Sequence, residues 1–88
     1  MISSYRLWFH ARIQMQRRHI TLESIEETLS QPDEVQMGDH GRRIMQKLIM
    51  HQGASKLLRL VVETNEQGER EVVTLYITSK IRKYWKGH

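Results

Sequence analysis

The sequence predicts an α+β domain in which two N-terminal helices pack on an antiparallel sheet of three or four strands. Two observations lead to this fold class: apolar residues recur with helical spacing before Pro32, and they alternate with polar residues after it. A length of 88 residues favours a single domain over residues 1–88, with one thin core between two layers.

The segment from Phe9 to His19 has the pattern of the first helix. Apolar side chains such as Ala11 and Met15 recur there at spacings of three and four residues. The aromatic segment just before it, residues 5–9, fits either a short strand or the entry to this helix.

A second helix is predicted to follow after a tight joint at residues 19–20. Thr21 is a favourable N-cap, because its hydroxyl can accept a hydrogen bond from a free amide of the first turn. Pro32 is expected to end this helix near Gln31.

The remaining residues have the alternation of strands separated by turns. Apolar side chains stand at every second position in three segments, residues 42–50, 57–64 and 71–78. A further segment, residues 34–37, fits a short edge strand. Glycine-containing segments between them fit the connecting turns. Residues 79–88 fit a final turn of helix or irregular structure.

This alternation predicts one apolar sheet face that packs on the helices and one polar face. The apolar face is expected to carry Leu58, Leu60 and Val62, together with Val73 rather than Val72. The polar face is expected to carry cationic, hydroxylic and aromatic side chains: Arg43, Lys47, Arg59, Thr74, Tyr76 and Thr78. The cations on this face also fit cross-strand pairs with nearby glutamates, which would need no function.

The charge is positive and segregated along the chain. Fourteen Lys and Arg residues against ten Asp and Glu residues give a net charge of +4. A basic surface is typical of a protein with a polyanionic partner, although a soluble protein with no such partner can be equally basic.

Composition also bears on cofactors and location. Cysteine is absent, which excludes a disulfide framework and a thiolate metal site, so we expect no metal and no cofactor. No apolar run approaches the roughly 18 residues of a membrane span. The N-terminal residues also lack an apolar leader, so we expect a cytoplasmic protein without a membrane partner.

The available side chains suit metal-free cleavage of RNA. That reaction needs a base near the 2′-hydroxyl, an acid near the leaving oxygen and cations near the phosphorus. Histidine is the usual choice for proton transfer because its side chain titrates near neutral pH. The predicted catalytic set is His10, Arg43, Lys47, Arg59 and Tyr76. An alternative for His10 is a packing or capping role in its helix.

A second set of residues is predicted to contact the nucleic-acid backbone. It combines the arginines of the first helix with polar and basic residues after the last strand: Arg12, Arg17, Arg18, Thr78, Ser79, Lys80 and Lys83. The helix arginines also fit an ordinary solvated helix face.

The N-terminal motif resembles a known family. The chain resembles the uncharacterised bacterial family numbered 4258 among domains of unknown function. Four features carry the resemblance: the run from Phe9 to Arg18, a hydrophobic-threonine pair, an acidic helix and a Gln-Pro pair. Its pattern is roughly HARxRMxxR, and the matching residues are His10, Ala11, Arg12, Met15 and Arg18. Gln14 stands where the family usually has arginine or another polar residue, and Gln31 replaces the usual asparagine before proline.

The order of two helices followed by an antiparallel meander is similar to that of RelE/ParE-type toxins and other metal-independent ribonucleases of that fold. The resemblance implies a toxin that cuts RNA and is neutralised by a small antitoxin protein. It also supports functional roles for His10, Arg12 and Arg18. Two alternatives stay open: a non-catalytic module that binds RNA or a partner, and an adaptor whose sheet edge recruits a peptide strand.

Overall fold

A computed structural model describes residues 5–85 and confirms the α+β class. The elements in chain order are β1 (Tyr5–Leu7), α1 (Phe9–Arg17), α2 (Leu22–Ser30), β2 (Glu34–Met37), β3 (Arg43–His51), β4 (Ala54–Thr64), β5 (Arg70–Thr78) and α3 (Ile81–Tyr84). Residues 5–7 are therefore a strand, and the predicted tail begins with one helical turn. Residues 86–88 of that tail lie outside the described range.

The five strands form one sheet in the order β1-β5-β4-β3-β2. Strands β2 to β5 pair antiparallel, whereas β1 pairs parallel with β5. The prediction of three or four antiparallel strands is wrong on this point. With only three residues, β1 is too short to have a recognisable alternation. Its parallel partner β5 is the last strand of the chain, so this pairing joins distant segments.

The joint between the helices has local hydrogen bonds at both ends. The Thr21 hydroxyl accepts from the Ser24 amide at 3.1 Å, which confirms the predicted N-cap. His19 has a left-handed backbone with φ 56°, and the Ile20 amide donates to the Met15 carbonyl at 2.9 Å. This bond closes the end of α1 and turns the chain directly into α2.

The core lies between the two long helices and one sheet face, here called the inner face. Its buried members come from α1, α2, the joint between them and strands β4 and β5: Ala11, Ile20, Ile25, Leu29, Leu58, Leu60, Val62, Val72 and Leu75. The opposite sheet face is called the outer face. No helix in residues 5–85 is long and apolar enough to cross a membrane.

The pairing of β3 with β4 decides which side chains share a face. Lys47 lies opposite Leu58 and Arg43 lies opposite Val62, so both cations project from the inner face. Arg59 alternates with these core residues and lies on the outer face. The prediction that the three cations share one face is wrong, because alternation within a strand does not specify the register between strands.

A bulge changes the side-chain pattern in β5. Val61 pairs with Thr74, but Val62 pairs with Val72, so Val73 is the extra residue. Val72 therefore joins the core cluster, contrary to the prediction that Val73 does. Beyond the bulge, the expected alternation returns.

Candidate functional site

Arg59 occupies the middle of the outer face on β4, which is the central strand of the sheet. Its residue surface is only 4% exposed. The Nη1 group donates to the Tyr76 hydroxyl at 2.7 Å, and Nη2 donates to Oε1 of Gln36 at 3.2 Å. The outer face thus holds a buried cation beside a phenolic hydroxyl.

Two tyrosine rings enclose the guanidinium. Its central carbon lies 4.2 Å from the ring centroid of Tyr84 and 5.4 Å from that of Tyr76. The rings meet edge to face, with centroids 6.0 Å apart and an angle of 68°. Such contacts attract a cation through the negative ring face, so they offset part of the cost of its burial. Tyr84 belongs to α3, which therefore packs on the outer face.

A network of amides connects α3 to strands β2 and β3. Nε2 of Gln36 and Nε2 of Gln46 both donate to Oε1 of Glu34, at 2.8 and 2.6 Å. The same two nitrogens donate to the Tyr84 carbonyl at 2.9 and 3.3 Å. Gln46 is fully buried. These bonds hold the short α3 helix over Arg59.

The charge of Arg59 has no carboxylate partner among residues 5–85. The ion pairs in this range join Arg6 to Glu69, Arg42 to Glu63 and Lys47 to Asp33. The buried Nε atom of Arg59 also has no hydrogen-bond acceptor in the part of the chain that the structure describes. A buried cation without a counter-ion is energetically costly. An anion placed on the outer face would supply the missing interaction.

Tyr76 is held in its neutral form. Burial raises the pKa of its hydroxyl above the usual 10.0, although the neighbouring Arg59 charge opposes that shift. A neutral hydroxyl next to a guanidinium can donate a hydrogen bond or a proton to an oxyanion, and it is a poor base at neutral pH.

Several other predicted residues lie close to this cluster. Thr78 follows Tyr76 on the outer face of β5, opposite Leu57. The Thr78 hydroxyl accepts from the Lys80 amide at 3.0 Å, which shapes the turn into α3 with Ser79 between them. Nζ of Lys83 lies 5.3 Å from the Tyr84 ring. Of the predicted RNA contacts, Thr78 thus shares the outer face with Tyr76, and Lys83 lies beside the Tyr84 ring.

The predicted residues of the first helix lie on the other side of the sheet. His10, Arg12, Arg17 and Arg18 are exposed on or just after α1, and Ala11 between them packs into the inner-face core. The sheet therefore separates His10 from Arg59. A single site containing His10, Arg59 and Tyr76 is not formed, and a separate role for His10 stays a prediction.

Arg43 and Lys47 also lie away from the cluster. Nζ of Lys47 donates to the Gln31 carbonyl at 2.9 Å and lies 3.7 Å from Asp33, so it ties β3 to the end of α2. Arg43 is exposed on the inner side near the turn that precedes β3. Of the predicted catalytic set, the structure brings only Arg59 and Tyr76 together.

Sequence reasoning missed the polar residues that surround Arg59. Gln46 interrupts an otherwise apolar row between Ile44 and Leu48, and a lone amide in such a row is a signal of a buried polar contact. No comparable signal identified Tyr84, since a four-residue helix has no periodicity to place its ring.

A separate groove among the described residues does not coincide with this cluster. It has a volume of about 740 Å³ and lies between the free edge of β1 and the helices, beside residues such as Leu7, Arg12 and Met15. We assign more weight to the Arg59 cluster, because an unpaired buried charge points to chemistry more directly than a cavity volume does.

Comparisons with known proteins identify a family and nothing more specific. No curated protein and no solved structure matches the chain. The sequence pattern described as domain of unknown function DUF4258 matches residues 8–77. This range begins next to the His10 motif and includes Arg59 and Tyr76. The match covers most of the 88 residues, and the chain therefore belongs to the DUF4258 family.

Proposed function

We propose that the chain is a metal-independent endoribonuclease of toxin type that acts on cytoplasmic RNA at the outer face. The observation that carries this proposal is the buried Arg59 guanidinium, which lacks a carboxylate partner in residues 5–85 and lies 2.7 Å from the Tyr76 hydroxyl. The order of two helices followed by an antiparallel meander adds support through its similarity to RelE/ParE-type toxins.

In the proposed reaction, the RNA 2′-hydroxyl attacks the adjacent phosphorus and the 5′-oxygen leaves. Arg59 binds the phosphate and stabilises the negative charge that develops on its oxygens. Tyr76 donates its proton to the leaving oxygen. The proton of the 2′-hydroxyl passes to water, since no histidine hydrogen-bonds to either residue within the described chain.

RNA reaches Arg59 only when α3 moves. The Tyr84 ring lies over the guanidinium, and the Tyr84 carbonyl accepts from two glutamines of the sheet. A helix of four residues is held by few contacts, so its displacement costs less than that of α1 or α2. A small antitoxin protein is the proposed neutralising partner, on the basis of the toxin similarity.

The test is cleavage of total cellular RNA in the presence of EDTA. Tyr76→Phe removes the proposed proton donor, which is also the acceptor of the Arg59 Nη1 hydrogen bond. Arg59→Lys keeps the charge but removes the bidentate fork. Lys56→Gln is the control, because it removes one cation from β4 at a site outside the cluster. We expect discrete products from wild type and the control, and at least a hundredfold slower cleavage by Tyr76→Phe.

A His10→Ala variant distinguishes this proposal from the site predicted from sequence. Wild-type cleavage by His10→Ala supports the outer-face site. Loss of cleavage in His10→Ala with unchanged cleavage in Tyr76→Phe refutes it. Thermal unfolding of each variant separates lost chemistry from lost folding.

The second candidate is a non-catalytic RNA-binding module, and the position of His10 across the sheet favours it. Arg59 would then neutralise a phosphate without any proton transfer. RNA affinity would fall steeply with salt concentration, and no product would form. This function is identified if RNA binding depends on salt and the RNA remains uncleaved, both with and without ribosomes.

A further inference from the structure

A second cationic site lies on the inner side of the sheet, at the end away from the β3–β4 hairpin. The turn at residues 39–41 and strands β3, β4 and β5 enclose a recess of about 440 Å³. We call it the Arg43 recess, and its polar lining residues are His40, Arg43, Glu63, Thr64 and Arg70. It shares no residue with the Arg59 cluster.

Polar side chains from three separate elements converge on this recess, and two of them are arginines. Arg43 comes from β3, Arg70 from β5 and His40 from the turn. Nη1 of Arg70 donates to the Leu29 carbonyl at 2.8 Å, which fixes this guanidinium beside the end of α2. Arg43 is exposed and belongs to none of the ion pairs within residues 5–85.

The carboxylate in the lining does not neutralise the recess. Oε2 of Glu63 accepts from Nε of Arg42 at 2.9 Å, so an arginine outside the lining already compensates its charge. The local balance therefore remains positive. Met45 and the buried Val62 add apolar surface, and reduced hydration beside such surface strengthens the attraction of an anion.

We propose that the Arg43 recess binds a phosphate group. The exposed guanidinium fork of Arg43 matches the geometry of phosphate oxygens, and the Thr64 hydroxyl can donate to a further oxygen. The volume is within the range of small-molecule sites and accommodates a nucleotide. The phosphate has two sources of the same chemistry, a free mononucleotide or an RNA backbone. Binding at this recess does not depend on whether the outer face cleaves RNA.

Nuclear magnetic resonance titration of the amide groups tests this site. The probes are inorganic phosphate, uridine 5′-monophosphate and a five-nucleotide RNA, each added at constant ionic strength. A titration with sodium chloride alone is the reference. We expect saturable shifts of the Gly41, Arg43 and Thr64 amides. Arg43→Gln weakens binding about tenfold, the loss of one charge-assisted hydrogen bond. Lys56→Gln, the matched control, leaves binding unchanged.

The three probes distinguish the phosphate sources. Tighter binding of the RNA than of the mononucleotide, with the same amides shifted, identifies backbone phosphates. Binding of the mononucleotide with no effect of RNA at these amides identifies a free ligand. The proposal is overturned if chloride produces the same shifts, or if Arg43→Gln and Lys56→Gln weaken binding equally. Failure of RNA cleavage has no bearing on either result.

Discussion

Replacing Tyr76 by phenylalanine removes a single oxygen atom from the cluster around Arg59. That oxygen accepts a 2.7 Å hydrogen bond from Nη1 of an arginine that is only 4% exposed. The Nε atom of the same guanidinium already lacks an acceptor among residues 5–85. The variant therefore leaves a second nitrogen of a buried cation without its protein acceptor, while the ring and its contact with the guanidinium remain.

The expected loss follows from the charge of the donor. Hydrogen bonds to charged groups contribute about 1.5–3 kcal/mol, so we expect the free energy of unfolding to fall by about 2 kcal/mol. In a domain of this size, each kcal/mol changes Tm by about 4–8 °C. The Tyr76→Phe variant should therefore melt about 8–16 °C below wild type.

Tyr84→Phe is the matched control for this measurement. Its ring lies closer to Arg59, at 4.2 Å, but its hydroxyl makes no hydrogen bond within residues 5–85. Its unfolding free energy should stay within about 0.5 kcal/mol of wild type. Thermal and urea unfolding at pH 7, followed by circular dichroism, compare the two variants. Equal effects of the two substitutions refute the assignment of the energy to the Arg59–Tyr76 bond.

Three further perturbations test other contacts. His19→Gly, at φ 56°, should raise the unfolding free energy by about 1 kcal/mol in urea unfolding, because glycine adopts the left-handed backbone without strain. Burial is the main cause that raises the pKa of Tyr5 to about 12, and a hydrogen bond to a glutamate is the second cause. The stability that the neutral Tyr5 hydroxyl contributes is therefore present below pH 10 and lost as the pH rises towards 12. Tyr5→Phe should flatten that loss in alkaline unfolding curves. The Trp8 indole is the main group that lowers the pKa of Glu71, so Trp8→Phe should raise that pKa in a carboxyl titration by nuclear magnetic resonance. The stability that depends on the Glu71 carboxylate should then disappear at a higher pH on acidification than in wild type.

Local patterns in the sequence predicted the elements well. The predicted strand at residues 71–78 differs from β5 by one residue at its start, and the Thr21 cap lies where its hydroxyl was expected to act. These features depend on side chains that lie within a few residues of each other in the chain. The physical interactions that produce them are therefore visible in a short stretch of sequence.

Interactions between distant segments were not predictable in the same way. Arg43 and Lys47 alternate correctly within β3, yet their face depends on a pairing register with β4 that no residue in β3 encodes alone. The same limit applies to His10, whose separation from Arg59 follows from the packing of α1 on the inner face. Of the predicted catalytic residues, Arg59 and Tyr76 are thus in contact, and the other three are dispersed.

A structural role alone does not require a cation at position 59 of β4. Leu57 and Val61 flank it on the same face, and an aliphatic side chain at position 59 would extend their apolar row. Burying a cation costs several kcal/mol, a cost that an aliphatic side chain would not carry, and at Arg59 two hydrogen bonds and two aromatic contacts act against it. Stability given up in this way is characteristic of a functional residue. The proposed anionic ligand, replacing Tyr84 over the guanidinium, would account for the lack of a carboxylate partner in residues 5–85 and for the short helix that covers Arg59.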